Sequence, residues 1–108
     1  MVDGFTLEKD IERALIKSVQ RHGGMCLKWV CPGWLGVPDR ICLLPGGRIY
    51  FVETKRPSGG TRAAMQNKWA EWLTRLGFTH RWVCNKDDLY ALEALIKRKE
   101  VERDVDSL

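Results

Sequence analysis

The chain has 108 residues, 44% of them hydrophobic, with 18 Lys and Arg against 14 Asp and Glu. That length suits one small domain, leaves no room for a second catalytic one, and the apolar content argues against extended disorder. No stretch approaches the roughly 20 apolar residues that span a bilayer, and the first residues lack a basic-then-apolar signal, so a soluble intracellular protein is expected.

Thr6 is placed to cap a first helix whose apolar stripe is Leu7, Ile11, Ala14, Leu15 and Val19, and Gly23-Gly24 ends it. Residues 25–30, short and apolar, predict a strand, and residues 31–38 are punctuated as a loop by Pro32, Gly33, Gly36 and Pro38. Residues 40–44 and 48–55 are strand-like runs joined by Pro45-Gly46-Gly47, a hairpin signal. After a second loop at 56–60, Thr61 is placed to cap a helix striped by Met65, Trp69, Trp72, Leu73 and Leu76 and stopped by Gly77. Residues 79–84 predict a fourth strand. A last helix, opened by Asn85 or Asp87, contains residues 89–96, and the charged stretch from Lys97 onward reads as a loosely attached tail. The order αβββαβα predicts a single α/β domain over residues 1–108, a small mixed sheet flanked by helices.

Charge is unevenly spread. Residues 48–81 hold seven basic groups (Arg48, Lys55, Arg56, Arg62, Lys68, Arg75, Arg81) and two acidic ones (Glu53, Glu71). An anionic partner such as a nucleic acid is sought there, although a solvated basic face gives the same count. Cys26, Cys31, Cys42 and Cys84 contain no C-x-x-C pair, and with His22 they match no zinc spacing, so reduced and mostly buried thiols are expected.

The middle hairpin breaks the binary pattern. With a three-residue loop, Leu44 faces Arg48, Ile41 faces Phe51, and Asp39 faces Glu53. Cross-strand partners have Cβ atoms about 4.5–5.5 Å apart, so two carboxylates meet and require a compensating cation. Lys55, two residues beyond Glu53, shares its face by the period of two. Two carboxylates and a lysine at a strand end suit Mg²⁺, which takes carboxylate, water and phosphate oxygens. A two-residue turn at Gly46-Gly47 would instead set Asp39 against Thr54. Glu12 borders the apolar face of the first helix and Gln66 that of the second, positions open to either a rim or a site role.

Gly36-Val37-Pro38-Asp39-Arg40, then Phe51-Val52-Glu53-Thr54-Lys55-Arg56-Pro57, then Gln66 and Trp69 resemble the motifs of the virus-type replication-repair nuclease (VRR-NUC) family. That family lies within the PD-(D/E)xK superfamily, whose restriction-endonuclease-like core has the same αβββαβα order. The resemblance covers about residues 8–83 and implies a catalytic set of Glu12, Asp39, Glu53, Lys55 and Gln66. It implies metal ligation by Asp39, Glu53 and the Thr54 carbonyl, with Mg²⁺ as cofactor, Mn²⁺ able to replace it, and no organic cofactor. Arg56, Arg62 and Lys68 are then placed to hold flanking phosphates, which sets affinity and not sequence preference.

No base-reading module is present, so selectivity is expected from DNA shape. Stand-alone members of the resembled family imply a structure-selective endonuclease that cuts Holliday junctions. One site per chain makes a two-fold homodimer the natural assembly. A flap or end-trimming nuclease, or a non-catalytic module binding branched or duplex DNA, are the alternatives. The expected location is the cytoplasm, that of the host if the chain is phage-encoded. Five tryptophans (Trp29, Trp34, Trp69, Trp72, Trp82) exceed the needs of so small a core, and Trp34, in the loop, is the candidate for an outside contact.

Overall fold

In a computed structural model of the protein, residues 8–55 and 59–106 are described. They form α1 (Glu8–Arg21), β1 (Met25–Lys28), β2 (Arg40–Leu44), β3 (Arg48–Glu53), α2 (Gly60–Arg75), β4 (Thr79–Trp82) and α3 (Lys86–Asp106). This is the expected αβββαβα order. The sheet runs β1-β2-β3-β4, antiparallel in its first two pairings and parallel between β3 and β4.

The helix ends follow local chemistry. Gly23, at φ 81°, takes the left-handed position that closes α1, with Gly23 N–H donating to the Gln20 carbonyl and Gly24 N–H to that of Val19. Gly77, at φ 91°, closes α2 in the same way, through bonds to Thr74 and from Phe78 to Leu73. Asn85 caps α3, its Oδ1 accepting the Asp88 N–H at 2.8 Å. The Thr6 cap lies outside the described residues. Thr61 does not cap α2, which begins at Gly60 without a side-chain cap. Gly59 and Gly60, both at positive φ, turn the chain into the helix early and leave Thr61 within its first turn. Residues 97–106 are helical, extending α3 through the stretch read as a loose tail. Strong helix formers and pairs such as Lys99–Glu102 at 3.0 Å account for the extension.

Side chains alternate across the sheet. Cys42, Leu44, Tyr50 and Val52 turn to one face and close a core with Ile11, Leu15 and Val19 of α1 and Leu89, Leu92 and Ile96 of α3. Truncating one of these, as in Leu15→Ala, costs about 2–5 kcal/mol. Phe51 and Glu53 therefore point the other way, toward α2. There the aromatics form a connected layer: Trp29 lies 5.3 Å from Phe51 and 5.8 Å from Trp69, which in turn meets Trp34 at 5.7 Å and Trp72 at 5.4 Å. Trp34 alone of the five is exposed, at 57%.

All four cysteines are free thiols; Cys42 is buried and the others are half-buried. Cys26 and Cys42 are cross-strand partners, and Cys42 donates its hydrogen to the Cys26 sulfur across 3.7 Å. That bond favours the Cys26 thiolate and holds Cys42 as a thiol. No helix among the described residues is long and apolar enough to cross a membrane.

Candidate active site

The three-residue loop sets the register: Leu44 pairs with Arg48 and Ile41 with Phe51, and Arg40 with Val52 ends the ladder one step short of Asp39 and Glu53. Gly46 and Gly47, at φ 86° and 74°, allow this reversal, and a side chain at either would be strained. Asp39 is held from the opposite strand as well, its carbonyl accepting the Trp29 N–H at 2.9 Å.

The two acids interact and their environments differ. Glu53 is 4% exposed, and burial, joined by the Asp39 charge and opposed by Arg62 of α2, pushes its carboxyl up to about 8. Hydrogen bonds from the Asp39 backbone and the Gln66 side chain also favour its charged form, yet Oε2 is buried with no hydrogen-bond partner among the described residues. Asp39 instead has both oxygens engaged: Thr54 N–H donates to Oδ1 at 3.2 Å and Thr54 Oγ1 to Oδ2 at 2.6 Å.

Glu12 reaches the same cluster from α1. Its Oε2 lies 3.5 Å from the Arg40 guanidinium, and its Oε1 is 3.4 Å from Thr54 Oγ1. A hydroxyl has one hydrogen to give, and the shorter contact to Asp39 takes it, so Arg40 is the partner that fixes Glu12. Gln66, 9% exposed, comes from α2 one turn beyond Arg62, which puts both on one helix face.

Alternation along β3 is the ground for setting Lys55 on the face of Glu53. The strand ends at Glu53, so the period of two no longer governs residue 55, and its side chain is exposed. The cation that eases Glu53 is Arg62, contributed by a helix. Lys68 is exposed on another face of α2, away from Gln66, and Arg56 lies outside the described residues.

Two further cations escaped the sequence reading, Arg40 and Lys28. They are cross-strand partners, so the β1–β2 pairing was the signal that could have linked them. Lys28 and Arg62 stand at the rim of a cleft of about 290 Å³ that reaches Asp39 and Glu53.

Among the described residues no group of three or more His, Cys, Asp or Glu converges to hold a metal. A hard dication nevertheless suits the donors present. Two adjacent carboxylates repel one another, and a buried Glu53 oxygen lacks a partner. An oxygen-seeking cation meets both needs, and Mg²⁺ is held by one or two carboxylates with water and phosphate completing its shell.

No known family model matches the sequence. Over 50 residues, 46% of the chain, it is 50% identical to "Putative nuclease p44" of Acyrthosiphon pisum secondary endosymbiont phage 1. The matched stretch spans 54% of that protein, about half its length. The fold superposes on a solved VRR_NUC domain with a TM-score of 0.69 at 25% identity, covering 80% of this chain and 94% of that one. These likenesses bear out the resemblance drawn from the motifs: the chain is VRR-NUC-like in fold, and about half of it is similar in sequence to part of a phage protein named as a putative nuclease.

Proposed function

We propose that this chain is a metal-dependent nuclease that hydrolyses phosphodiester bonds in DNA, with Asp39 and Glu53 as its metal ligands. The observation that carries the reading is the meeting of these two carboxylates at one strand end, one of them with a buried oxygen that has no partner among the described residues. The Thr54 carbonyl is the third oxygen the resemblance supplies. Bound there, Mg²⁺ or Mn²⁺ would lower the pKa of water and neutralise phosphate oxygens.

The protein's own groups have separable tasks. Thr54 fixes the Asp39 carboxylate through two donors, and Gln66 orients Glu53. Glu12 steadies Arg40 beside the hairpin end. Lys55, exposed two residues beyond Glu53, is assigned by the resemblance to bring positive charge to the scissile phosphate or to accept a proton from water. Arg62 and Lys28, which line the cleft, contact flanking phosphates and position DNA without reading sequence, whereas Lys68, on another face of α2, adds only longer-range attraction.

The finer reading is a structure-selective endonuclease that cuts Holliday junctions as a two-fold homodimer, because paired cuts need two sites and one chain has one. It would act in the cytoplasm, that of a host cell if phage-encoded. The test is cleavage of a four-way junction, a flap and a linear duplex in Mg²⁺, in Mn²⁺ and in EDTA, beside Asp39→Ala. The expected result is metal-dependent cutting of the junction, lost in Asp39→Ala with DNA binding retained or increased. A wild type that never cuts, or an Asp39→Ala that cuts equally well, overturns the enzyme reading; flap cutting alone overturns the junction.

A further inference from the structure

We infer that the cleft beside the carboxylates receives an unpaired nucleobase stacked on Trp34, which makes Trp34 the residue that selects DNA with an unstacked nucleotide next to the cut. The inference rests on the nuclease reading of Asp39 and Glu53.

The cleft has two chemistries within about 290 Å³. Trp29, Val30, Trp34 and Leu35 form an apolar wall; Asp39 and Glu53 form the inner end, and Lys28 and Arg62 the rim. Val30 is 70% exposed, Trp34 57% and Leu35 44%, a concentration of uncovered apolar surface in one short loop. Such a patch beside a polar site marks a binding surface.

The wall is built, not loose. Trp69 Nε1–H donates to the Leu35 carbonyl at 3.1 Å, and the Trp34 N–H closes a turn onto Cys31 at 3.1 Å. Trp69 meets the Trp34 ring edge-to-face, at 82°. Gly36, at φ 85°, lies so close to α2 that a Cβ would stand 2.7 Å from the Met65 backbone. The loop is thus pinned to the helix that supplies Arg62 and Gln66.

A ligand matching this cleft is planar and apolar at one end and anionic at the other. A nucleotide has that form, its base meeting the aromatic wall while its phosphates meet Lys28 and Arg62. In a continuous duplex the base faces are covered by their neighbours, so only a base out of the stack can reach an indole. Flaps and gaps offer one, and an unstacked junction crossover offers paired bases with one face uncovered.

The test measures binding in EDTA, where no cutting occurs. A fluorescein-labelled duplex with a short single-stranded gap is compared with its continuous counterpart by anisotropy, for wild type, Trp34→Ala and Trp34→Phe. The expected preference for the gapped DNA falls about tenfold or more in Trp34→Ala, as loss of one base stack gives, and is largely kept in Trp34→Phe. In Mg²⁺, KM for the gapped DNA rises more than kcat falls. An equal weakening of both DNAs, or no change in the ratio, overturns the inference. So does a wild-type dimer that Trp34→Ala turns into a monomer with the preference intact, since the wall then belongs to a subunit contact. A preference that holds in EDTA while no DNA is cut in Mg²⁺ supports the base site and removes only the nuclease reading.

Discussion

Thr54 gives both of its donors to Asp39, the amide to Oδ1 at 3.2 Å and the hydroxyl to Oδ2 at 2.6 Å. Thr54 is itself buried, so this arrangement is shielded from water and fixes the carboxylate's orientation. Removing the hydroxyl at constant shape isolates its contribution. Thr54→Val is expected to cost about 1–3 kcal/mol in urea unfolding and to lower single-turnover cleavage, while Thr54→Ser keeps most of both.

Glu53 carries the opposite balance. Its carboxylate is buried, repelled by Asp39 and partly unpartnered, so its charge opposes folding when no cation is bound. Glu53→Gln is expected to raise the melting temperature in EDTA, equivalent to about 1–2 kcal/mol. In Mg²⁺ the order reverses, because only the wild type gains from the ion. Cleavage by the variant falls by more than the roughly 10–100-fold that losing an outer-shell partner costs.

How much of this was legible in the sequence depends on range. The hairpin itself could be read from Pro45-Gly46-Gly47, but a three-residue loop sets Asp39 against Glu53 and a two-residue turn sets it against Thr54, and it is the Leu44–Arg48 pairing that decides for the first. The Arg62 contribution could not be read, because it requires knowing where α2 crosses the sheet. The Lys55 expectation extended strand alternation two residues past the strand's end at Glu53, where it no longer applies. The Thr54 hydroxyl has no signature in the sequence, because its bond to Asp39 crosses between the two strands of the hairpin. Residues 97–106 look like a solvated tail by charge alone, whereas contacts such as His22 Nδ1 with Glu100 at 2.9 Å tie that part of α3 to the end of α1.

His80 supplies a pH dependence of known sign. The ring is 8% exposed with an unpartnered Nε2, and burial, aided by Arg81, pushes its pKa from 6.5 down to about 4. Between these values the unfolded chain binds the proton and the folded one does not, so the His80 contribution falls as pH drops from 6.5 toward 4 and then levels. Glu53 acts in the other direction over part of this range, since its folded form holds a proton up to about 8. The difference between wild type and His80→Phe removes the Glu53 effect. The expected gain for His80→Phe grows by about 2–3 kcal/mol from pH 7 to pH 4, read from urea midpoints.

Gly36 is intolerant for two independent reasons. Its φ of 85° disfavours any side chain, and a Cβ would meet the backbone of Met65 and Gln66 at 2.7–2.8 Å. Gly36→Ala is expected to destabilise by more than about 2 kcal/mol in urea unfolding. Because α2 must shift, the variant should also lose cleavage at temperatures where it remains folded. Gly33→Ala, with open space around it but φ 87°, should cost less.

One pairing in the sheet governs how such a molecule can be rebuilt. Because β3 and β4 run parallel, the chain leaving Glu53 returns through α2 to the strand's beginning, and the acids, Arg62 and Gln66 gather at one pole. The hairpin tip at Gly46-Gly47 and the bend at Gly77 occupy the other pole, together around Arg48 and Thr79. Lengthening the chain at the Gly77 bend, and not at the hairpin tip whose three residues fix the register, leaves the reactive end in place, so a targeting module could be fused there without redesigning the site.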